Sequence, residues 1–313
     1  MFGPLVSIGI PAYKKPAYVV RGLQSILQQS YKNIEIIISD DSPDESIKIA
    51  IEPYISELAI KYYHNQPALT SPANWNAALD KSSGELKLLL HQDDWFHDPD
   101  AIKTYVTAFE DNPEIDFVFC QNTAIEETGK KVILQARPSL LHTMSENPNH
   151  LLLAQVIGPP SNTMLRSRVN TRYDEKFIWL VDVDYYVRIL KKGHKYKYIQ
   201  KHLVSIGIHE DQTTVFCRTN DTIILKENTW FANKLEKEAF KDILIYDYYW
   251  RLLRNYNVRT TEDLARAGVE YKDIPPIIVQ MLSLQQKLSP SILKMGLLSK
   301  FFMMISYLTA KKN

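Results

Sequence analysis

Five short apolar runs, most of them followed by a helical pattern, constrain the fold of this chain more than any other feature. The first run, residues 5–10, stops at Pro11, and apolar residues recur at helical spacing after Pro16. The other four runs begin at Ile34, Ile60, Glu85 and Ile115. Strands that alternate with helices at this interval predict an α/β fold, with a mainly parallel sheet sandwiched between helices.

Start and stop signals place two of the helices. Ser71 followed by Pro72 is a hydroxyl cap before a first-turn proline, which predicts a helix over residues 72–82. A second helix is expected over residues 183–192, because lysines occupy its last turn and Gly193 follows. These helices border the residues that are the best candidates for chemistry.

The pattern changes at about residue 218 and is helical from there on. Thr260 with Asp263 fits a variant of the capping box, and amphipathic faces in this part need a partner surface. We therefore expect an α/β domain over residues 1–217 and a helical region over residues 218–313. The helical region is expected to contact a substrate, a partner or a membrane.

Composition excludes some function classes. Lys and Arg total 37 against 36 for Asp and Glu, so no global positive field favours nucleic acid as a partner. Two cysteines without metal-ligand spacing indicate a reducing compartment, and no secretory signal precedes the first strand, so a cytoplasmic protein is expected. The apolar residues 295–310 are too few to span a bilayer comfortably. They fit an interfacial segment at the inner face of the cytoplasmic membrane, or packing on the domain or in a homodimer.

Pairs of aspartates follow two of the predicted strands. In an open α/β sheet ligands bind outside the carboxyl ends of the strands, so all four carboxylates are expected on one rim. Asp93 and Asp94 fit a divalent cation that holds a diphosphate, although capping or loop solvation is the better explanation of an acidic pair taken by itself. Asp40 and Asp41 suit a base edge or a ribose hydroxyl, or else a turn built on Asp-Ser-Pro-Asp.

Asp182 and Asp184 lie at the start of the helix expected over residues 183–192. A carboxylate in an apolar setting has a raised pKa, which suits a general base that accepts a proton from a hydroxyl. Stabilisation of the helix N-terminus explains the two acidic residues as well. His209, taken alone, is more typical of a structural hydrogen-bonding residue.

The order of these motifs resembles glycosyltransferase family 2, the inverting enzymes with the GT-A fold. The resemblance covers about residues 5–215 and rests on SIGIPAYKK, IEIIISDDSPDES, NWNAALDKSSGELKLLLHQDDW, LVDVDYYVRILKKGHK and HEDQTT. It implies a Rossmann-like nucleotide-binding half, an acceptor half and a C-terminal helical extension. The implied reaction moves a sugar from a nucleoside-diphosphate donor to a hydroxyl of a saccharide or lipid-linked saccharide. The implied setting is bacterial surface polysaccharide assembly, of the O-antigen or capsule type.

The resemblance also implies roles for individual residues. Nucleotide contacts are expected from Pro11, Ala12, Tyr13, Asp40, Asp41, Asn76, His91 and Gln92. Mn²⁺ or Mg²⁺ is expected on Asp93, with His209 beside the diphosphate and metal. Asp182 is the expected catalytic base, and the donor or acceptor sugar is expected near Asp94, Trp95 and Asp184.

Two residues depart from the family pattern. His91 stands where the first aspartate of the DxD element is expected, and Val181 stands where a glutamate usually precedes the base. These departures keep a noncatalytic nucleotide-sugar-binding protein open as an alternative. A dinucleotide-binding oxidoreductase is disfavoured because no GxGxxG follows the first strand, and the PAYKKPAY loop lacks the glycines usual in nucleotidyltransferases.

Overall fold

The computed structural model describes the backbone of residues 3–312 and the side chains of residues 3–311. The chain forms two compact units, which we call the sheet unit and the helical unit. The sheet unit consists of the described residues up to Pro148 together with Gln155–Lys176 and Val181–Glu210. The helical unit consists of Asn149–Ala154, Phe177–Leu180 and the residues from Asp211 onwards. The division of roles between residues 1–217 and 218–313 stays a prediction.

Within the described residues, the sheet unit contains one nine-stranded sheet. Its strands are β1 Val6–Ala12, β2 Ile34–Asp40, β3 Ile60–His64, β4 Leu86–Leu89, β5 Trp95–Phe96, β6 Phe117–Glu126, β7 Lys131–Leu134, β8 Thr163–Arg166 and β9 Tyr196–Ile208. The order across the sheet is β3-β2-β1-β4-β8-β6-β9-β5, and β7 pairs with β6 outside this path. The neighbouring strands β3, β2, β1 and β4 run parallel to one another, and β6 runs parallel to β9. The expected α/β fold with a mainly parallel sheet is confirmed in its longest ladders.

The apolar alternation of β1 explains how helices cover both faces. The sheet-unit helices are α1 Pro16–Leu27, α2 Ser46–Ile51, α3 Ala73–Asp80, α4 Ala101–Glu110, α5 Pro138–Glu146 and α6 Val181–Lys191. Val6, Ile8 and Ile10 belong to the buried core that α1 and α4 also form. Gly9 points to the other face, where a Cβ would lie 3.2 Å from the Ala78 Cβ of α3. Successive side chains of β1 therefore pack against helices on opposite faces of the sheet, because side chains alternate along a strand.

The helical unit is held together partly by polar side chains. Its helices are α7 Thr213–Arg218, α8 Asp221–Lys234, α9 Ile243–Asn255, α10 Thr261–Arg266, α11 Pro276–Gln285, α12 Pro290–Lys294 and α13 Gly296–Lys312. Short 3₁₀ helices in the chain span Glu52–Tyr54, Pro148–Leu152, Pro160–Asn162, Lys237–Lys241 and Tyr271–Asp273. The buried carboxylate of Glu227 accepts three backbone N–H groups, from Ile178, Trp179 and Leu180, at 2.8 to 2.9 Å. Among the described residues, no helix combines the length and apolar character needed to cross a bilayer.

The structure confirms one expected helix cap and corrects another, and the helices expected over residues 72–82 and 183–192 span Ala73–Asp80 and Val181–Lys191. The capping box at Thr260 and Asp263 is formed, and Asp182 lies in the first turn of α6. The expected hydroxyl cap at Ser71 is wrong. Helix α3 begins at Ala73, so Pro72 occupies the cap position and no side chain accepts a hydrogen bond there.

Candidate functional site

The carboxyl ends of β1, β2 and β4 meet at one rim of the sheet. Ala12 is in register with Asp40 at the ends of β1 and β2, and the Asp41 N–H donates to the Ala12 carbonyl at 2.9 Å. On the other side of β1, the Leu90 N–H donates to the Gly9 carbonyl at 2.9 Å. The loops that follow these strands therefore leave the sheet side by side.

A cavity of about 280 Å³ lies at this rim. It is lined by Tyr13, Lys14, Asp41, Ser42, Pro43, Asn65, Gln66 and Ala68. The Tyr13 side chain is 48% exposed, and its backbone is held by the Gln92 amide, which accepts from the Tyr13 N–H at 2.8 Å and donates to its carbonyl at 3.2 Å. An aromatic ring on a fixed backbone beside a carboxylate suits the flat base and the hydroxyls of a nucleoside.

The two aspartates after β2 organise the walls of this cavity. Asp40 accepts from the Ser42 N–H at 2.8 Å and from the Tyr62 hydroxyl at 2.7 Å. Asp41 accepts from the backbone N–H groups of Leu69 and Thr70 at 3.0 and 2.8 Å. Asp41 thus lines the cavity while it fixes the opposite loop. The Asp40 side chain is buried, and its two oxygens accept these hydrogen bonds. The expected contact of Asp40 with the nucleotide stays a prediction.

Three other residues expected at the nucleotide have defined places. Pro11 and Ala12 are the last two residues of β1 and are buried. Asn76, in α3, accepts from the Tyr173 N–H at 2.9 Å and donates to the Tyr173 carbonyl at 3.0 Å, with Glu175 3.1 Å away. The Asn76 amide therefore holds the backbone of the loop at Tyr173 in place. The expected contact of Asn76 with the nucleotide remains a prediction.

His91, Asp93 and Asp94 form a cluster after β4. Their ligand atoms all lie within 4.8 Å of one another. Beside them, the His209 Nε2 lies 3.0 Å from the Asp93 Oδ2. The expected metal carboxylate and the expected histidine are thus neighbours, although they are 116 residues apart in sequence.

Asp94 is the buried member of the cluster. Its Oδ2 accepts from the Ser161 hydroxyl at 2.5 Å, and its Oδ1 accepts from the Gly207 N–H at 3.2 Å. Burial and the charge of Asp93 raise the pKa of Asp94 well above its ordinary range. With the side chain 2% exposed, the arrangement favours support of the cluster over the expected sugar contact, which stays a prediction.

The donor set fits a divalent cation. Burial lowers the pKa of His91, which leaves a neutral imidazole, and its buried Nε2 has no hydrogen-bond partner. Two carboxylates held this close, one of them buried, favour a positive charge between them. Carboxylate oxygens suit Mg²⁺ and Mn²⁺, and an added imidazole nitrogen is compatible with the softer Mn²⁺.

Arg21, which the sequence did not single out, positions the loop of this cluster. Its Nη2 donates to the Asp93 carbonyl at 2.6 Å, and its guanidinium carbon lies 3.8 Å from the centre of the Trp95 ring. Trp95, expected near the sugar, therefore stacks with this arginine. Gly207 closes the other side, since a Cβ there would lie 2.5 Å from the Asp93 carbonyl oxygen.

The first turn of α6 carries two carboxylates in different environments. Burial raises the pKa of Asp182 from 3.8 to about 6, although its Oδ1 accepts from the Val183 N–H at 2.8 Å. Asp184 is buried and pairs with the Arg188 Nε at 2.7 Å. Residues two apart on an α-helix are separated by about 200°, so Asp182 and Asp184 lie on opposite sides of α6. A poised pKa favours Asp182 as the base, and the sugar contact of Asp184 stays a prediction.

An aromatic series extends from the cluster toward α6. The Trp75 ring centre lies 4.5 Å from that of His91 and 5.2 Å from that of Tyr173. Tyr173 in turn stacks on Tyr185 at 4.0 Å. Several aromatic side chains of the chain are buried and pack in the core: Tyr185, Tyr186, Tyr246, Tyr249 and Trp250.

Comparisons with known proteins identify a family and several relatives. Residues 7–174 match the family described as Glycosyl transferase family 2. The chain is 25% identical over 261 residues to chondroitin synthase of Escherichia coli, an alignment that covers 81% of this chain and 35% of that protein. It is 24% identical over 269 residues to the GalNAc(5)-diNAcBac-PP-undecaprenol beta-1,3-glucosyltransferase of Campylobacter jejuni, covering 81% of this chain and 85% of that enzyme. The chain thus spans about a third of the length of the E. coli relative.

Solved structures share the fold. TarS of S. aureus, solved in complex with UDP-GlcNAc, superposes with a TM-score of 0.62 at 18% identity, covering 98% of this chain and 90% of that one. A mannosyltransferase of Pyrobaculum calidifontis, solved with GDP-Man and Mn²⁺, gives 0.59 at 13% identity and covers 99% and 86%. At these identities the likeness establishes the GT-A fold. Because the family match covers more than half of the sequence, the chain belongs to glycosyltransferase family 2.

Proposed function

We propose that the sheet unit transfers a sugar from a nucleoside-diphosphate donor to an acceptor hydroxyl, with inversion at the anomeric carbon. The observation that carries the proposal is Asp182, a half-buried carboxylate whose pKa is raised to about 6 by burial. A base with this pKa is ionised near neutral pH and still has appreciable proton affinity. It lies in the same unit as the rim cavity and the His91–Asp93–Asp94 cluster.

In the proposed reaction, Asp182 accepts the proton of the acceptor hydroxyl as its oxygen forms a bond to the anomeric carbon. The bond from that carbon to the donor phosphate breaks, and the nucleoside diphosphate leaves with the electron pair. Tyr13 and Asp41 hold the nucleoside. His91, Asp93 and Asp94 would hold Mn²⁺ or Mg²⁺, which supplies positive charge for the leaving diphosphate. Arg21 and Ser161 keep the cluster in place, because they bond the Asp93 carbonyl and the Asp94 carboxylate.

We further propose a saccharide or lipid-linked saccharide as the acceptor, in bacterial surface polysaccharide assembly. The support is the nature of two relatives, a chondroitin synthase and a glucosyltransferase named for an undecaprenol-linked acceptor. The donor sugar is a matter for experiment. A panel of nucleotide sugars, screened for thermal stabilisation of the chain and for metal-dependent release of nucleoside diphosphate, identifies it without the acceptor.

A noncatalytic nucleotide-sugar-binding protein is the second candidate, and His91 and Val181 favour it because they depart from the family pattern. Both candidates bind nucleoside diphosphates, so binding does not separate them. Once the screen has supplied a donor, proton NMR of the product decides the matter. Our proposal expects a product with the anomeric configuration opposite to that of the donor. Tight binding with no product over a full panel of saccharide acceptors supports the second candidate instead.

A further inference from the structure

Helix α13, in the helical unit, exposes several large apolar side chains, although Met303 is buried on its inner face. Leu297 is 89% exposed, Phe301 59% and Leu308 52%. At 100° per residue, these three positions fall within a narrow arc, and Leu298 and Ile305, each about 40% exposed, extend it. The apolar residues therefore form one continuous stripe along the outer face of the helix.

The opposite face of α13 is buried and contains serines. Ser299 accepts from the Trp250 Nε1 at 3.1 Å, and the Ser306 hydroxyl lies 2.7 Å from the Tyr246 hydroxyl. Both serines are at most 3% exposed, so their partners orient α13 on α9. In water a helix normally buries its apolar face and exposes its polar one. The orientation seen here indicates that the outer face meets an apolar medium.

The charge around the stripe identifies that medium. Residues 274–313 contain five lysines, at positions 287, 294, 300, 311 and 312, and no aspartate or glutamate. The whole chain has a net charge of only +1, so this segment is locally basic in an otherwise acidic chain. Lys300 and Lys311 fall on the same side of the stripe, because eleven residues make about three helical turns. Lysines beside an apolar stripe are typical of helices that lie on anionic bilayers.

We propose that α13 lies along the surface of a bilayer rich in anionic lipid, with the Leu297–Phe301–Leu308 stripe inserted among the acyl chains. A helix of 17 residues with this stripe lies in the interface, and the described residues contain no spanning helix. A second copy of the chain is the less suitable partner for this surface. Pairing two such surfaces face to face brings lysines together without a carboxylate in the segment to compensate them.

Sedimentation of the full chain with vesicles tests the proposal. Vesicles of equal parts phosphatidylglycerol and phosphatidylcholine are compared with pure phosphatidylcholine vesicles, at low and at high salt. We expect binding to the anionic vesicles that weakens in high salt. Phe301→Ser with Leu308→Ser should lower the partition coefficient by roughly tenfold or more, because two large apolar side chains no longer enter the acyl region. Lys300→Gln with Lys311→Gln should lower it on anionic vesicles only.

The control variant is Ile49→Ser, which removes an apolar side chain of α2 that is 62% exposed and lies in the sheet unit. It should bind vesicles like wild type, and the urea midpoints of all variants should stay close to that of wild type because the altered side chains are exposed. Partition that is equal for wild type and the Phe301→Ser, Leu308→Ser variant overturns the proposal. The proposal is also overturned if wild type binds no vesicles and instead forms a concentration-dependent dimer, seen by ultracentrifugation, that the Phe301→Ser, Leu308→Ser variant does not form.

Discussion

Replacing Asp182 by asparagine should stabilise the protein while it removes the proposed base. Burial raises the pKa of Asp182 from 3.8 to about 6, so the folded state resists ionisation of this carboxyl group. A group whose pKa is raised by folding contributes its full stability below the unfolded-state pKa and loses it as the pH rises through the folded-state pKa. A shift of about two units corresponds to a penalty of about 3 kcal/mol once the group is ionised in both states.

Asparagine keeps an oxygen that can accept from the Val183 N–H but carries no charge. We therefore expect Asp182→Asn to be more stable than wild type by about 3 kcal/mol near pH 8, and by only about 1 kcal/mol near pH 4.5. Urea unfolding followed by tryptophan fluorescence at the two pH values measures the difference. The same variant should lose roughly 10²- to 10⁴-fold in sugar transfer.

Asp184→Asn is the matched control on the same helix. Asp184 is buried and paired with Arg188, so its removal should destabilise the fold by about 1–3 kcal/mol near neutral pH. The reasoning is refuted if Asp182→Asn gains no stability on going from acid to alkaline pH, or if both variants lose stability alike.

Four further predictions concern the cluster and the base. The turnover rate of wild type should fall about tenfold per pH unit below a pH of about 6, as Asp182 becomes protonated, and a rate that is flat from pH 5 to 8 contradicts the assignment. Asp93→Asn should weaken Mn²⁺ binding, measured by electron paramagnetic resonance, by at least about tenfold, whereas the exposed Asp111→Asn should leave it unchanged. Ser161→Ala removes a hydroxyl that donates to the Asp94 carboxylate, and should weaken Mn²⁺ binding by about 10- to 100-fold against no change for the exposed Ser145→Ala. Gly207→Ala places a methyl group 2.5 Å from the Asp93 carbonyl oxygen and should weaken Mn²⁺ binding as well. Gly296→Ala, whose methyl group meets nothing within 4 Å, should leave Mn²⁺ binding unchanged. Equal effects of the two substitutions would show that the close approach at Gly207 is unimportant.

The sequence predicted the first half of the sheet well because its strands are continuous apolar runs. Runs such as residues 34–39 are buried on both faces in a parallel sheet, so hydrophobicity alone reveals them. Four of the nine strands in the described residues, β5, β7, β8 and β9, escaped prediction. β5 has only two residues, and the four residues of β7 are exposed. β8 has only four residues and includes an arginine, and β9 mixes lysine, glutamine and histidine into a strand whose register with β6 is irregular near Gln121.

The candidate site was predictable where the chemistry is local and unpredictable where it depends on the fold. Asp93 stands out because it follows an apolar run, and Asp182 stands out because it lies at the start of a helix. Arg21 and Ser161 carry no such signal, since each reaches the cluster only through folding, from 72 and 67 residues away. Asp40 and Asp184 look equally functional in the sequence, but their partners Tyr62 and Arg188 become visible only in the structure.

Donor turnover by wild type and Asp182→Asn tests the proposed base and metal most directly, with the donor chosen by the nucleotide-sugar screen and Mn²⁺ present. Binding of the nucleoside diphosphate serves as the reporter of an intact rim cavity. We expect equal binding by both proteins, with nucleoside diphosphate release by wild type that stops on chelation of the metal and is lost in the variant. Equal release by both proteins, or release that continues without metal, would contradict this expectation.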